Sequence, residues 1–239
     1  MLILLVFFSC QKNKKDELEN SLTIINSYTI DVQEPSGLTY DDVRQVLYTV
    51  SDNSNKIYKL SKEGHVFQAY NYNGNDLEGI SIDNNGNLIL AEERQRQIIR
   101  YNPSNNQQTI YNIDVEQNEE NSGLEGVCYD SKEDQYFVLN EKNPAILIIL
   151  NNQFQKIEEH TLSFSIDYSG ICYDSKENKI WIVSDQSKML SQCDKNGKML
   201  KQYKINIDKA EGIAFDQSKM MFYLVSDSKN KLYQIAYPE

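Results

Sequence analysis

The stretch Asp76–Asp83 reads DLEGISID, and it places a glutamate and a glycine directly before a short alternating apolar run. Neither residue favours a β-strand, so a strand that begins with them is unusual. The same motif, called the first motif below, occurs as EPSGLTYD (34–41), DLEGISID (76–83), GLEGVCYD (123–130), DYSGICYD (167–174) and KAEGIAFD (209–216). Its glycines are spaced by 42, 47, 44 and 42 residues. Such spacing predicts a repeated structural unit.

A second motif follows each copy of the first. It reads VSDNS (50–54), LAEER (90–94), LNEKN (139–143), VSDQS (183–187) and VSDSK (225–229). Its acidic residue lies 15 positions after the glycine in four repeats. In the second repeat Glu92 lies 13 and Glu93 lies 14 positions after it, so the sequence leaves open which of the two is equivalent.

Each repeat reads as four short strands with an alternating period and Asn-Gly or Glu-Gly turns between them. Units of roughly 40–50 residues with four strands are typical of propeller blades. The fifth unit ends one strand short with KLYQIAY (231–237), whereas LTIINSYTI (22–30) precedes the first glycine as a surplus strand. We therefore expect an all-β, five-bladed β-propeller over residues 21–239, with four-stranded blades and a ring closed by the N-terminal strand.

The first 20 residues, MLILLVFFSCQKNKKDELEN, are predicted to lie outside this domain. The apolar run is shorter than the ~20 residues that span a bilayer, and its length suits the apolar core of a signal peptide. Ser9-Cys10 resembles a bacterial lipobox, which predicts lipid attachment at Cys10, a polar tether after it, and a lipid-anchored protein of the cell envelope (periplasm or outer membrane). A buried N-terminal strand is the alternative.

Composition narrows the classes of partner. The formal net charge is −11 and the pI is about 4.8, a balance that repels nucleic acid and anionic lipid. We expect a monomer that binds a divalent cation and an unidentified small molecule, glycan or peptide, and that contacts membrane only through its lipid. His65 and His160 lie in predicted outer strands. The axis therefore has no histidine for a zinc site or a Ser-His-Asp triad, and we assign no catalytic residue.

The residue before each glycine is predicted to lie at the mouth of the central channel. These residues are Ser36, Glu78, Glu125, Ser169 and Glu211. Three carboxylates held together repel one another, and a bound cation would relieve that repulsion. Ligand sets made only of oxygen suit calcium, or magnesium with its stricter geometry. The alternative is that the glutamates cap backbone amides of the inner strands without a metal.

The acidic residues of the second motif have two interpretations. Asp52 and Asp185 are predicted to be turn residues, because aspartate favours turns. Glu93 and Glu141 are not turn formers, and each precedes a basic residue, so they are predicted to lie at the mouth of a pocket.

These motifs resemble those of the bacterial SdiA-regulated propeller family, which is NHL-like. The resemblance is carried by DLEGISID with LAEER, by GLEGVCYD with LNEKNP and by KAEGIAFD with VSDS, and it covers about residues 22–239. It implies a five-bladed propeller with calcium in a central site. Glu78, Glu125 and Glu211 match the family's first-motif positions, and Glu93, Glu141 and Asp227 match its second-motif acids. It implies no reaction.

Three functions remain open at this point. A ligand- or partner-binding module fits axial carboxylates that have no nucleophile beside them. A metal-dependent hydrolase of the lactonase type would use the same cation to activate water, with Glu93 or Glu141 as the base. In a structural scaffold, the ion would only hold the blades together.

Overall fold

The computed structural model describes residues 21–116 and 122–238. Within this part of the chain no helix is long and apolar enough to cross a membrane. The predicted signal segment, including Cys10, lies outside the described residues. The strands are β1 Ile24–Thr29, β2 Pro35–Asp41, β3 Val46–Ser51, β4 Lys56–Leu60, β5 Val66–Ala69, β6 Leu77–Ile82, β7 Leu88–Glu92, β8 Gln97–Asn102, β9 Gln107–Asn112, β10 Leu124–Asp130, β11 Gln135–Asn140, β12 Ile146–Asn151, β13 Lys156–Thr161, β14 Gly170–Asp174, β15 Lys179–Ser184, β16 Met189–Cys193, β17 Met199–Lys204, β18 Ala210–Asp216, β19 Met221–Ser226 and β20 Lys231–Ala236.

These strands form five antiparallel sheets of four strands each, which are the blades of the propeller. Blade 1 contains β2–β5, blade 2 β6–β9, blade 3 β10–β13 and blade 4 β14–β17. Blade 5 contains β18–β20 and, as its outer strand, β1. The predicted all-β, five-bladed fold is confirmed.

The ring is closed by pairing between the first and last strands of the described residues. Strand β1 runs antiparallel to β20, with Ser27 opposite Tyr233 and Thr29 opposite Lys231. Beside this ladder the side-chain amide of Asn26 donates a hydrogen bond of 2.8 Å to Oε1 of Gln234. The predicted closure by the N-terminal strand is therefore confirmed, and the last blade has no missing strand at the seam.

The core lies between neighbouring blades. The second strand of each blade is buried almost throughout, as in VLYTVS of β3 and KIWIVS of β15, because both of its faces are covered by adjacent sheets. Outer strands such as β9 and β13 are mostly exposed. The inner strands β2, β6, β10, β14 and β18 pair with these buried strands, and they carry the first motif.

Three cysteines lie in this core. Cys128, Cys172 and Cys193 are buried and have free thiols. The structure thus shows buried thiols rather than a disulfide between Cys128 and Cys172.

Candidate metal centre

A β-bulge at the start of the inner strands directs the first-motif glutamates. The pairing of β6 with β7 shifts between Leu77 and Gly79, and that of β10 with β11 shifts between Leu124 and Gly126. Glu78 and Glu125 are the residues skipped by these shifts. A bulge leaves one residue outside the ladder and re-aims its side chain, which explains why glutamate stands at the start of a strand.

The glycine after each glutamate is required by the close approach of neighbouring inner strands. A Cβ atom at Gly170 would lie 2.2 Å from the carbonyl oxygen of Glu211, and one at Gly79 would lie 2.8 Å from that of Glu125. At Gly212 the distance to the carbonyl oxygen of Ser36 would be 2.1 Å. None of these three glycines has a positive φ. Their role is to let two backbones meet at the narrow end of the channel.

Equivalent backbone hydrogen bonds align the second motif between blades. The N–H of Glu93 donates to the carbonyl of Asp76 over 3.0 Å, and that of Glu141 donates to the carbonyl of Gly123 over 2.9 Å. Asp52 and Asp227 make the corresponding bonds to Glu34 and Lys209. Glu93 is therefore the equivalent residue in the second repeat.

Glu92 has a different environment. Its Oε1 accepts hydrogen bonds from the N–H of Asn75 over 2.8 Å and from the hydroxyl of Tyr72 over 3.4 Å. It is not among the residues that line the axial cavity. The structure thus distinguishes two adjacent glutamates that the sequence leaves equivalent.

The two motifs enclose one cavity of about 330 Å³ at this end of the channel. It is called the axial cavity below. Its lining contains eleven carboxylates and three basic side chains. The carboxylates are Glu34, Asp52, Asp76, Glu78, Glu93, Glu125, Glu141, Asp167, Asp185, Glu211 and Asp227, and the basic residues are Arg94, Lys142 and Lys209. All six residues predicted from the sequence as metal ligands line this cavity.

Sequence reasoning missed one ring of acids. Glu34, Asp76 and Asp167 lie three positions before the motif glycine and line the axial cavity. Comparing the five copies of the first motif at this position would have identified them. In the third repeat this position holds Gly123, where a Cβ would lie 2.2 Å from the carbonyl oxygen of Glu93. Asp52 and Asp185, which were interpreted as turn residues, also line the cavity.

The carboxylates form two groups that can each hold a metal ion. One oxygen each of Glu93, Glu125 and Glu141 lie within 4.8 Å of one another. Asp52, Asp76 and Glu78 form a second such group. Glu211 and Asp227 line the same cavity but belong to neither group.

The electrostatics of the axial cavity favour protonated or metal-bound acids. Burial raises the pKa of Glu125 well above its usual range, and the charges of Glu78 and Glu141 raise it further. Burial raises the pKa of Glu211 to about 8, against the opposing effect of Lys209. For Glu93, burial raises the pKa to about 7, although the N–H of Gly123 donates to its carboxylate over 3.1 Å.

The three basic side chains do not neutralise the centre of the cavity. Nε of Arg94 lies 3.1 Å from Asp76, Nζ of Lys142 lies 2.8 Å from Glu141, and Nζ of Lys209 lies 3.5 Å from Asp185. Among the described residues, the Glu125 carboxylate accepts no hydrogen bond and has no ion pair with a basic side chain.

The donor set fits a hard divalent cation. Every candidate ligand is a carboxylate oxygen, which is the ligand type of calcium and magnesium. Oxygens that share one calcium at 2.3–2.6 Å lie within about 5 Å of each other, and the grouped carboxylates meet that limit. Ser36 donates to the Glu78 carboxylate, but no backbone N–H caps Glu78, Glu125 or Glu211 in the described residues. The amide-capping alternative therefore has no support in the hydrogen bonding.

The fold and the cavity define a five-bladed β-propeller with an acidic axial pocket. Residues 18–236 match the SdiA-regulated family, and the chain belongs to that family.

Solved propellers resemble this chain in fold. Glutaminyl cyclase from Myxococcus xanthus superimposes with a TM-score of 0.74 at 11% identity, over 90% of this chain and 96% of that one. A gluconolactonase from Xanthomonas campestris gives a TM-score of 0.57 at 9% identity, over 90% and 98%. A virginiamycin B lyase from Staphylococcus aureus gives 0.54 at 16% identity, over 87% and 69%. At these identities the likeness shows the common fold.

Proposed function

We propose that this protein holds a calcium ion in its axial cavity and acts as a ligand- or partner-binding module. The observation that carries the proposal is the Glu125 carboxylate. It is half-buried, it has no hydrogen bond among the described residues, and it lies with Glu93 and Glu141 inside a span of 4.8 Å. A like-charged group of this kind is stable when a cation binds it or when it takes up protons.

Glu93, Glu125 and Glu141 would hold the ion, with the remaining cavity acids nearby. The ion would supply positive charge that attracts an oxygen-bearing ligand to the open end of the channel. Calcium is favoured over magnesium because it accepts 6–8 oxygens in flexible geometry, whereas magnesium requires a tighter octahedron. The described site offers many carboxylates on different blades rather than one compact octahedral set.

Isothermal titration calorimetry of metal-free protein with CaCl₂ tests the proposal. We expect saturable binding in the wild type and loss of at least about tenfold in affinity in Glu125→Gln, since one charged ligand is removed. Glu92→Gln is the matched control, because this buried glutamate belongs to the same repeat as Glu93 but does not line the axial cavity. Absence of binding, or equal affinity in Glu125→Gln, would contradict the proposal.

A metal-dependent hydrolase of the lactonase type is the second candidate. It is favoured by Glu93, whose pKa of about 7 suits a general base near neutral pH. Metal-dependent turnover of simple lactones or esters that is lost in Glu93→Gln would select this function. Calcium binding without turnover of any of them would leave the binding module.

A further inference from the structure

The opposite end of the channel forms a second cavity, called the lower cavity below, of about 520 Å³. Each inner strand contributes to its lining the residue that immediately precedes the last aspartate of the first motif. In four of the five blades this residue is aromatic: Tyr40, Tyr129, Tyr173 and Phe215. The three tyrosines are only partly buried, whereas Phe215 is buried, and the space that the four rings line is large enough for a small ligand.

An apolar constriction separates the two cavities. The residue after each motif glycine is aliphatic, and these five residues surround about 10 Å³ of free space between the channel ends. They are Leu38, Ile80, Val127, Ile171 and Ile213. That volume holds one water at most, so the lower cavity is a separate compartment from the acidic axial cavity.

The last aspartate of the first motif closes the turn after each inner strand. In blades 1–4 one carboxylate oxygen accepts backbone N–H groups of that turn, as Oδ1 of Asp174 does from Lys176 and Glu177, both over 3.0 Å. The other oxygen has its own donor within the protein. Those contacts are Asp41 with Arg44 at 2.7 Å, Asp83 with Asn87 at 2.9 Å, Asp130 with Lys195 at 2.8 Å and Asp174 with Tyr237 at 3.2 Å.

Blade 5 departs from this pattern. Oδ1 of Asp216 accepts from Ser218 and Lys219, but Oδ2 is buried and has no hydrogen bond. The hydroxyl of Tyr40 in the next blade is also buried without a partner. Burial raises the pKa of Tyr40, and Asp216 raises it further both by its charge and as a neighbouring hydrogen-bond acceptor, so the two groups lie side by side although their geometry is not that of a good hydrogen bond. Both residues line the lower cavity.

We propose that the lower cavity binds a neutral carbohydrate, with a sugar ring against the aromatic side chains and one sugar hydroxyl between Tyr40 and Asp216. A hydroxyl group both accepts and donates hydrogen bonds. It is therefore the group that satisfies a tyrosine O–H and a carboxylate oxygen together. The mixed apolar and polar lining also suits a ring with one apolar face and several hydroxyls.

Charge disfavours anionic ligands. Arg44 is the one basic side chain among the described residues that line the lower cavity, and Asp41 already pairs with it at 2.7 Å. Phosphate or another anion would thus meet no free positive charge. A small organic cation is the competing ligand class, because Asp41, Asp42, Asp83 and Asp216 all line this cavity, and tetramethylammonium is the probe for it below.

Saturation-transfer NMR on the full chain tests this, with methyl α-glucopyranoside, methyl β-galactopyranoside and N-acetylglucosamine as probes. We expect ring-proton saturation from at least one sugar, and affinity about tenfold lower in Asp216→Asn and Tyr40→Phe, since each loses one hydrogen bond to the ligand. Glu92→Gln should leave sugar binding unchanged, because Glu92 lines neither cavity. Tyr129→Phe is the matched tyrosine control, since its hydroxyl already donates to Asp134 over 2.7 Å.

Three results would overturn the proposal. They are no saturation of any of the sugars, equal saturation in wild type and Tyr40→Phe, and saturation of tetramethylammonium in place of sugar. Tyr40→Phe retains the ring and removes only the hydroxyl, so it decides the question even if Asp216→Asn fails to fold.

Discussion

Adjacent residues of the first motif have separate tasks at the channel mouth. Glu125 is the bulge residue that carries charge into the axial cavity, whereas Gly126 lets the next inner strand approach. A larger residue at the glycine position would move the neighbouring backbone, and with it the carbonyl and carboxylate of the next glutamate. Fold and site therefore depend on the same two positions in each blade.

Gly170→Ala is expected to reduce the free energy of unfolding by about 1–3 kcal/mol, the usual cost of overpacking. The new Cβ would lie 2.2 Å from the backbone oxygen of Glu211, which has little room to move. Gly126→Ala is the matched control at the same repeat position. There the nearest atom is a side-chain carbon of Ile171 at 3.1 Å, so the loss should be smaller. Urea unfolding measures both, and equal losses would contradict the argument.

The repeat spacing predicts which residues occupy equivalent positions around the channel. It does not predict contacts that only one blade makes. Glu78, Glu125 and Glu211 were predicted because they occupy one column of the repeats. Glu93 was not separable from Glu92, because a one-residue shift changes which face a side chain occupies and only the observed backbone bond to Asp76 settles it. Asp76 was missed because aspartate next to a strand is usually a turn residue.

At the level of strands, β1 does the most for the integrity of the ring. It is largely exposed, yet it supplies the whole outer ladder of blade 5. Without it β20 would become an edge strand with unpaired backbone groups. The sequence predicts this element correctly, because a missing strand at one terminus and a surplus strand at the other are visible in the repeat count.

A variant that begins at residue 31 should show the consequence. We expect a lower melting temperature and concentration-dependent association, because the edge of β20 becomes available to other chains. A variant that begins at residue 21 keeps β1 and is the control. Circular dichroism melts and size-exclusion chromatography at several concentrations check this result. A monomeric variant with unchanged melting temperature would show that β1 is dispensable.

Across the whole molecule, the concentration of acids on the axis makes stability depend on pH in an unusual direction. Most carboxylates have lowered pKa values in folded proteins, and stability then increases as pH rises. Glu211 instead has its pKa raised by burial to about 8. Between the usual glutamate pKa and about 8, the folded chain keeps a proton that the unfolded chain has lost, so stability decreases as pH rises.

Urea unfolding in EDTA should therefore show a free energy of unfolding that falls between about pH 4.5 and about pH 8. In Glu211→Gln this decline should be shallower, because one proton-linked group is gone. Saturating calcium should offset the decline, since the cation replaces the protons at high pH. Parallel pH profiles for wild type and Glu211→Gln would contradict this account.

The closure of the ring also sets a constraint on synthesis by the ribosome. Asn26 and its partner Gln234 are separated by 208 positions in the chain. At ~5–20 residues per second, the first strand waits about 10–40 s before its partner exists. During that interval blades 1–4 can form in order while the strand that leaves the ribosome first stays unpaired. Among the described strands, the one made earliest is thus the last to be placed, and β1 is open to association or proteolysis until β20 is made.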